Sequence, residues 1–534
     1  SRNGTFTTVS VGSAKITQTS VGGTKQPILN AGLRAIQGAY QDAGNGSSGK
    51  IVVNNDLDMS LSGRRMEGIY VSGAGTSSTG TEAVSQVILN GASTINLVNS
   101  GGTSADSSAI KVGKSRAVGT GKGLLVSNGA LTINMDASVV GTQPYHGAAI
   151  KMAVSGSQLL ADSATSSNNI NASKTALAIG IDDWNSSTDS TGISASFGAA
   201  TVRTKSTTAP LLLVDSGQQN VQLLFDRGSD LLAASDGYLI DVIKYRTSTA
   251  SSSVQLTLDN ASKMQGLTNK TYASSTVNVG MSNGSVWNMA VKTTSPWTST
   301  LDALSMTTGS ILNAFNQWDA GHTSATQFVM VGQVSSNAST INLQDETPTA
   351  DDHLKIDGPY TSTNGVLAID TCLGTDTAPS DILTVTGAVT GATTINIKPV
   401  AGSSCQGAQT TGNGILVAET GSSGSDAFAL NGGSITQGLY VYKLVQVGTS
   451  WYLQSAPATG TLTVAKVVTP AAGAPAFSGT IPYTLTCTTP SHSETGSISV
   501  TNNQGVVDHT LPAGSQCSVA GGALPAAPAR YYRG

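Results

Sequence analysis

Short runs of alternating apolar and polar residues recur over the first 350 residues, and each runs into a corner of Gly, Asn or Asp followed by Ser. One example is Val87-Ile88-Leu89-Asn90-Gly91-Ala92-Ser93-Thr94-Ile95-Asn96-Leu97. A second is Leu124-Leu125-Val126-Ser127-Asn128-Gly129-Ala130-Leu131-Thr132-Ile133-Asn134-Met135. The pattern returns at Val221, Val254, Val277 and Leu304, where the corner serines Ser229, Ser262, Ser285 and Ser310 stand 33, 23 and 25 residues apart. A hydrophobic period of two predicts strands with one face inward. Repeated every ~20–35 residues, such strands predict a parallel β-helix. At about 22 residues per coil, residues 1–350 would form about 15 coils. Val, Leu, Ile and Met would stack inside, and Gly and Asn would supply the positive φ that sharp corners need.

Composition sharpens this reading. Charged residues are 11% of the 534, aromatics 5%, and Gly numbers 61. Stacked coils place like residues above one another, so a rod of this kind avoids charge on its outer face. A hydrophobic share of 39% argues against disorder, and a net charge of −4 argues against nucleic acid as partner. No apolar run reaches the ~18 residues of a membrane-spanning helix. The chain opens Ser1-Arg2-Asn3-Gly4 without Met or leader, and we expect a processed or excised fragment that lacks a membrane barrel. Cys372, Cys405, Cys487 and Cys517 form two pairs with separations of 33 and 30 residues and no CxxC, which favours two structural disulfides over zinc.

Past residue 350 the character changes. The ordered set includes Leu354-Lys355-Ile356-Asp357-Gly358-Pro359-Tyr360, Gly365-Val366-Leu367-Ala368-Ile369-Asp370 and Ser380-Asp381-Ile382-Leu383-Thr384-Val385. It continues through Gly412-Asn413-Gly414-Ile415-Leu416-Val417 and Gly438-Leu439-Tyr440-Val441-Tyr442-Lys443-Leu444 to Trp451-Tyr452-Leu453-Gln454. This set resembles the pertactin-like autochaperone region of Gram-negative type V autotransporter passengers. The resemblance implies an all-β chain: a right-handed parallel β-helix, or solenoid, with a C-terminal β cap, displayed outside the outer membrane. Tyr440, Tyr442 and Trp451 match aromatic positions of that motif and are expected to pack in the cap. Cys372 and Cys405 are not a general feature of the family and would staple neighbouring coils. Residues 460–534 resemble the small Ig-like or prealbumin-like β-sandwich modules of bacterial surface proteins, whose paired cysteines join two strands. The expected domains are 1–350, 351–456 and 460–534.

Candidate chemistry is sparse. No serine-protease motif, nucleophile elbow, P-loop or dinucleotide fingerprint stands in its required setting. No metal motif and no cofactor is expected. The acidic pairs Asp182-Asp183, Asp345-Glu346 and Asp351-Asp352 are expected to be solvated loop charge, because neighbours on a strand point to opposite faces. Asp182, Asp183 and Trp184 form the most site-like cluster, since an exposed aromatic beside acids can stack on a sugar. The function expected is adhesion, either to a host receptor or glycan or through self-association in aggregation and biofilm. A glycan-cleaving β-helix using Asp182 or Asp183 is the enzymatic alternative, and a passive stalk the inert one.

Overall fold

Register between successive strands shows how the apolar pattern is used. The computed structural model describes residues 6–19, 30–36, 48–63, 66–72, 84–99, 107–116, 119–137, 146–181, 189–245, 248–290, 297–315, 325–489 and 491–522. Asp182, Asp183 and Trp184 lie outside them. The chain forms two compact units. The first comprises Ser1–Asp370, Ser380–Lys398 and Ala418–Ala429, and the second Thr371–Pro379, Pro399–Val417 and Leu430–Gly534.

The first unit is a parallel β-helix. Val87, Leu125, Leu159, Ala195, Leu223, Leu256, Val279, Leu304 and Val334 are successive register partners, and all are buried. A second ladder stacks Met59, Ile95, Ile133, Ile170, Val202, Leu231, Met264, Trp287, Leu312 and Ile341 in the same way. A third, eight-stranded sheet stacks Ile69, Ile110, Ile150, Leu177, Leu212 and Ile240. Two of its strands, Met66–Ser72 and Ser108–Val112, are buried on both faces, with no exposed position. Ala148, Ala178, Ile181 and Leu213 form a separate small cluster, and Lys111 pairs with Glu67 at 3.4 Å, both buried.

Coils are longer than the corner serines suggest. Register partners stand from 23 residues apart (Leu256 and Val279) to 43 apart (Ala14 and Leu57). The first ladder accordingly holds twelve described strands from Phe6–Val11 to His353–Asp357, not about 15. The serines sample the shorter, later coils, whereas earlier coils carry longer connections, which a stacked core tolerates.

The corners behave as the pattern predicts. Arg227 and Gly228, Asn260 and Ala261, Asn283 and Gly284, and Thr308 and Gly309 all have positive φ. Each pair precedes a fully buried Ser whose hydroxyl donates to the carbonyl three residues back, as from Ser262 to Asp259 at 2.6 Å and from Ser310 to Thr307 at 2.7 Å. These four corner serines therefore each satisfy a backbone carbonyl of their own turn.

The second unit is antiparallel. Tyr440–Val447 pairs with Ser450–Pro457, and Tyr442 is buried there with its hydroxyl donating to the Gly374 and Ala408 carbonyls. Trp451 is buried as well. Beyond it, Thr459–Val467 pairs with Gln504–Pro512, and Gly479–Thr489 lies between Ser491–Val500 and Gln516–Gly521. Val464 and Leu511 from one sheet meet Ile481, Tyr483, Leu485, Ile498 and Val500 from the other, which makes a small sandwich core. Disulfides join Cys372 to Cys405 and Cys487 to Cys517, the pairs that the spacing predicts.

Candidate functional site

Two features of the first unit carry chemistry: its outer strand face and a group of buried carboxylates. On the outer face of the first ladder, Gln158, Ser194, Gln222, Gln255 and Asn278 are successive register partners. They form an uncharged column of hydrogen-bonding side chains. Beside it, amides bond along the stack: Asn134 donates to Asn96 at 2.9 Å, and Asn171 donates to Asn134 at 3.0 Å. Further along the same ladder, Asn313 donates to Asn288 at 2.7 Å and Asn342 donates to Asn313 at 2.9 Å.

The carboxylates sit where strands begin. Asp352 and Asp381 each precede a strand, His353–Asp357 and Ile382–Pro399, and those strands are register neighbours. Each accepts a backbone N–H from the previous coil: Asp352 Oδ1 from Thr326 at 2.7 Å, and Asp381 Oδ1 from Asp352 at 2.9 Å. Asp381 Oδ2 also accepts from Asp370 N–H at 2.7 Å, and Asp370 Oδ2 accepts from Asp345 N–H at 3.0 Å. The fold thus uses carboxylates to cap strand starts that the ladder leaves unpaired.

This placement corrects the expectation of solvated loop charge. Asp345 is 3% exposed and Asp352 is 1% exposed, while Glu346 and Asp351 remain at the surface. Burial pushes Asp352 up to about 8, with the charges of Asp345 and Asp351 adding to the shift. Burial likewise pushes Asp381 up to about 9 and Asp370 up to about 6. One signal in the sequence could have found the cap: Asp352 and Asp381 both stand directly before an alternating strand, 29 residues apart.

Residues 329–444 match the family model of the autochaperone domain type 1. This stretch of the chain is therefore an autochaperone domain of type 1. Over 106 residues it is 36% identical to the uncharacterized protein YdeU of Escherichia coli (strain K12), a match that covers 19% of this chain and 22% of that protein. Among solved structures, the Hap adhesin of Haemophilus influenzae aligns with 77% of this chain and 58% of its own length, at 11% identity and a TM-score of 0.23. The chain therefore spans less than two thirds of each of these relatives. The autochaperone match contains all six carboxylates named above as well as Cys372, Cys405, Tyr440 and Tyr442.

Proposed function

We propose that this chain is an adhesive passenger that holds its cell to a sibling cell or to a host surface. The observation that carries this reading is the uncharged outer column Gln158, Ser194, Gln222, Gln255 and Asn278. Its members repeat at the strand spacing of about 4.8 Å, so a second extended, polar surface can meet them in register. Each hydrogen bond contributes little by itself, about 1 kcal/mol. Many parallel bonds on many displayed copies add through effective concentration. Both a second copy of this chain and a neutral glycan or host receptor offer the matching donors and acceptors. The absence of charge on the column argues against nucleic acid as the partner. The mechanism uses no catalytic group.

The test displays the chain on a non-aggregating bacterium through a donor barrel. Displaying cells should settle faster than bare cells, or be retained on a host-cell layer. Settling that stops when displaying cells are diluted with bare cells identifies self-association. Equal settling and equal retention for both cell types would overturn the adhesive reading and leave a passive stalk.

A further inference from the structure

We propose that Asp345, Asp351 and Asp352 form a binding site for a hard divalent cation of the calcium class, within the autochaperone region. One carboxylate oxygen from each lies within 4.8 Å of one from each of the other two. Oxygens bound to one Ca²⁺ at about 2.3–2.6 Å stand no more than about 5 Å apart, so a single ion reaches all three.

A second observation points to a ligand. Asp352 is 1% exposed, and its Oδ1 is held by the Thr326 N–H and hydroxyl, both at 2.7 Å. Its other oxygen, Oδ2, is buried and has no hydrogen-bond partner. In the same stack Asp370, 0% exposed, also has a buried oxygen without a partner, Oδ1. A buried carboxylate oxygen left bare is costly, and a cation is the group that removes the cost for several carboxylates at once. The nearby ammonium does not do this for Asp352: Lys398 Nζ donates to the Asp345 carbonyl at 2.8 Å. His353 is engaged elsewhere, its Nε2 lying 2.8 Å from the Thr384 hydroxyl.

The donor set selects the metal. It is all oxygen, without Cys or His, which disfavours zinc and copper. Two of the carboxylates are buried and fixed, while Asp351 is exposed and leaves the remaining coordination to water. Such an irregular, partly hydrated shell suits Ca²⁺ better than Mg²⁺, which demands near-ideal octahedral geometry. A bound ion would tie the segment 345–352 to the start of the strand His353–Asp357 and add stability by mass action.

The experiment uses the full chain, stripped with EDTA and titrated with CaCl₂ by calorimetry, with melting followed in parallel. The expected result is one saturable site per chain and a Tm that rises with calcium, with a weaker response to MgCl₂. Asp351→Asn alters an exposed side chain and should leave the circular-dichroism spectrum unchanged while weakening calcium binding about tenfold or more. Asp426→Asn, an exposed acid elsewhere, should bind as the parent does. No binding heat and no Tm shift at millimolar calcium would overturn the proposal. An Asp351→Asn chain that binds calcium like the parent would overturn it equally.

Discussion

The two units solve the same problem, closing a β core, by opposite means. The first repeats one arrangement: parallel strands, apolar columns and corner serines, with no disulfide among its described residues. Each coil has the next as its partner, so stability grows coil by coil. The second has no repeat to lean on. It uses antiparallel hairpins, a small two-sheet core, the Tyr442 hydroxyl network and both disulfides. A stacked solenoid can therefore leave its outer face free for polar, uncharged side chains, whereas a small sandwich needs covalent closure.

The largest break in this contrast should come from the interior of the solenoid. Trp287 is 0% exposed, stacks between Met264 and Leu312, and donates Nε1 to the Gly266 carbonyl at 2.8 Å. Trp287→Ala should cost about 3–5 kcal/mol. Hydrogen exchange should place the loss in the first unit and spare residues 459–522. The reciprocal change, Cys487→Ser with Cys517→Ser, opens a loop of 30 residues and should cost about 3–4 kcal/mol. Limited proteolysis should then cut the sandwich and leave the solenoid intact.

Smaller effects sharpen the picture of the strand-start carboxylates. Thr326→Val removes a hydroxyl that donates to Asp352 at 2.7 Å and should cost about 1–3 kcal/mol in urea unfolding. For pH, the folded carboxyls of Asp370, Asp352 and Asp381 lie at about 6, 8 and 9, all above the ordinary value. The folded state therefore keeps protons that the unfolded chain gives up. Their contribution is fully present below about pH 4 and is lost as pH climbs through the folded values. In EDTA the Tm should fall between about pH 5 and pH 9, and a rising Tm would contradict the assignment. The smallest change is Asn134→Ala, which interrupts an amide ladder at the surface and should cost about 1 kcal/mol or less.

Much of this was readable from residue order, and the exceptions have physical causes. The alternation at Val221–Asp226 and Ser253–Leu258 survives as buried and outward positions because one face of each strand meets the core. Corner serines and paired cysteines were legible for the same local reason. The third sheet was not, since Met66–Ser72 is buried on both faces and loses the period of two. Lys111 and Lys151, almost wholly buried, run against the ordinary preference of lysine for the surface. The carboxylate group was hidden because Asp345, Asp352, Asp370 and Asp381 meet only when successive coils are laid in register. Asp182, Asp183 and Trp184, the cluster favoured by the sequence, lie outside the described residues.

The most direct test sets the outer column of the first unit against the exposed apolar residues of the second. One variant carries Gln158→Lys, Gln222→Lys and Gln255→Lys. The other carries Val467→Lys and Val506→Lys, at side chains 64% and 66% exposed. Both are displayed on cells, checked for folding by protease resistance, and scored for settling and for retention on a host-cell layer. The adhesive column predicts that the first variant falls to the level of bare cells while the second behaves as the parent does. A folded first variant that still attaches like the parent would contradict it.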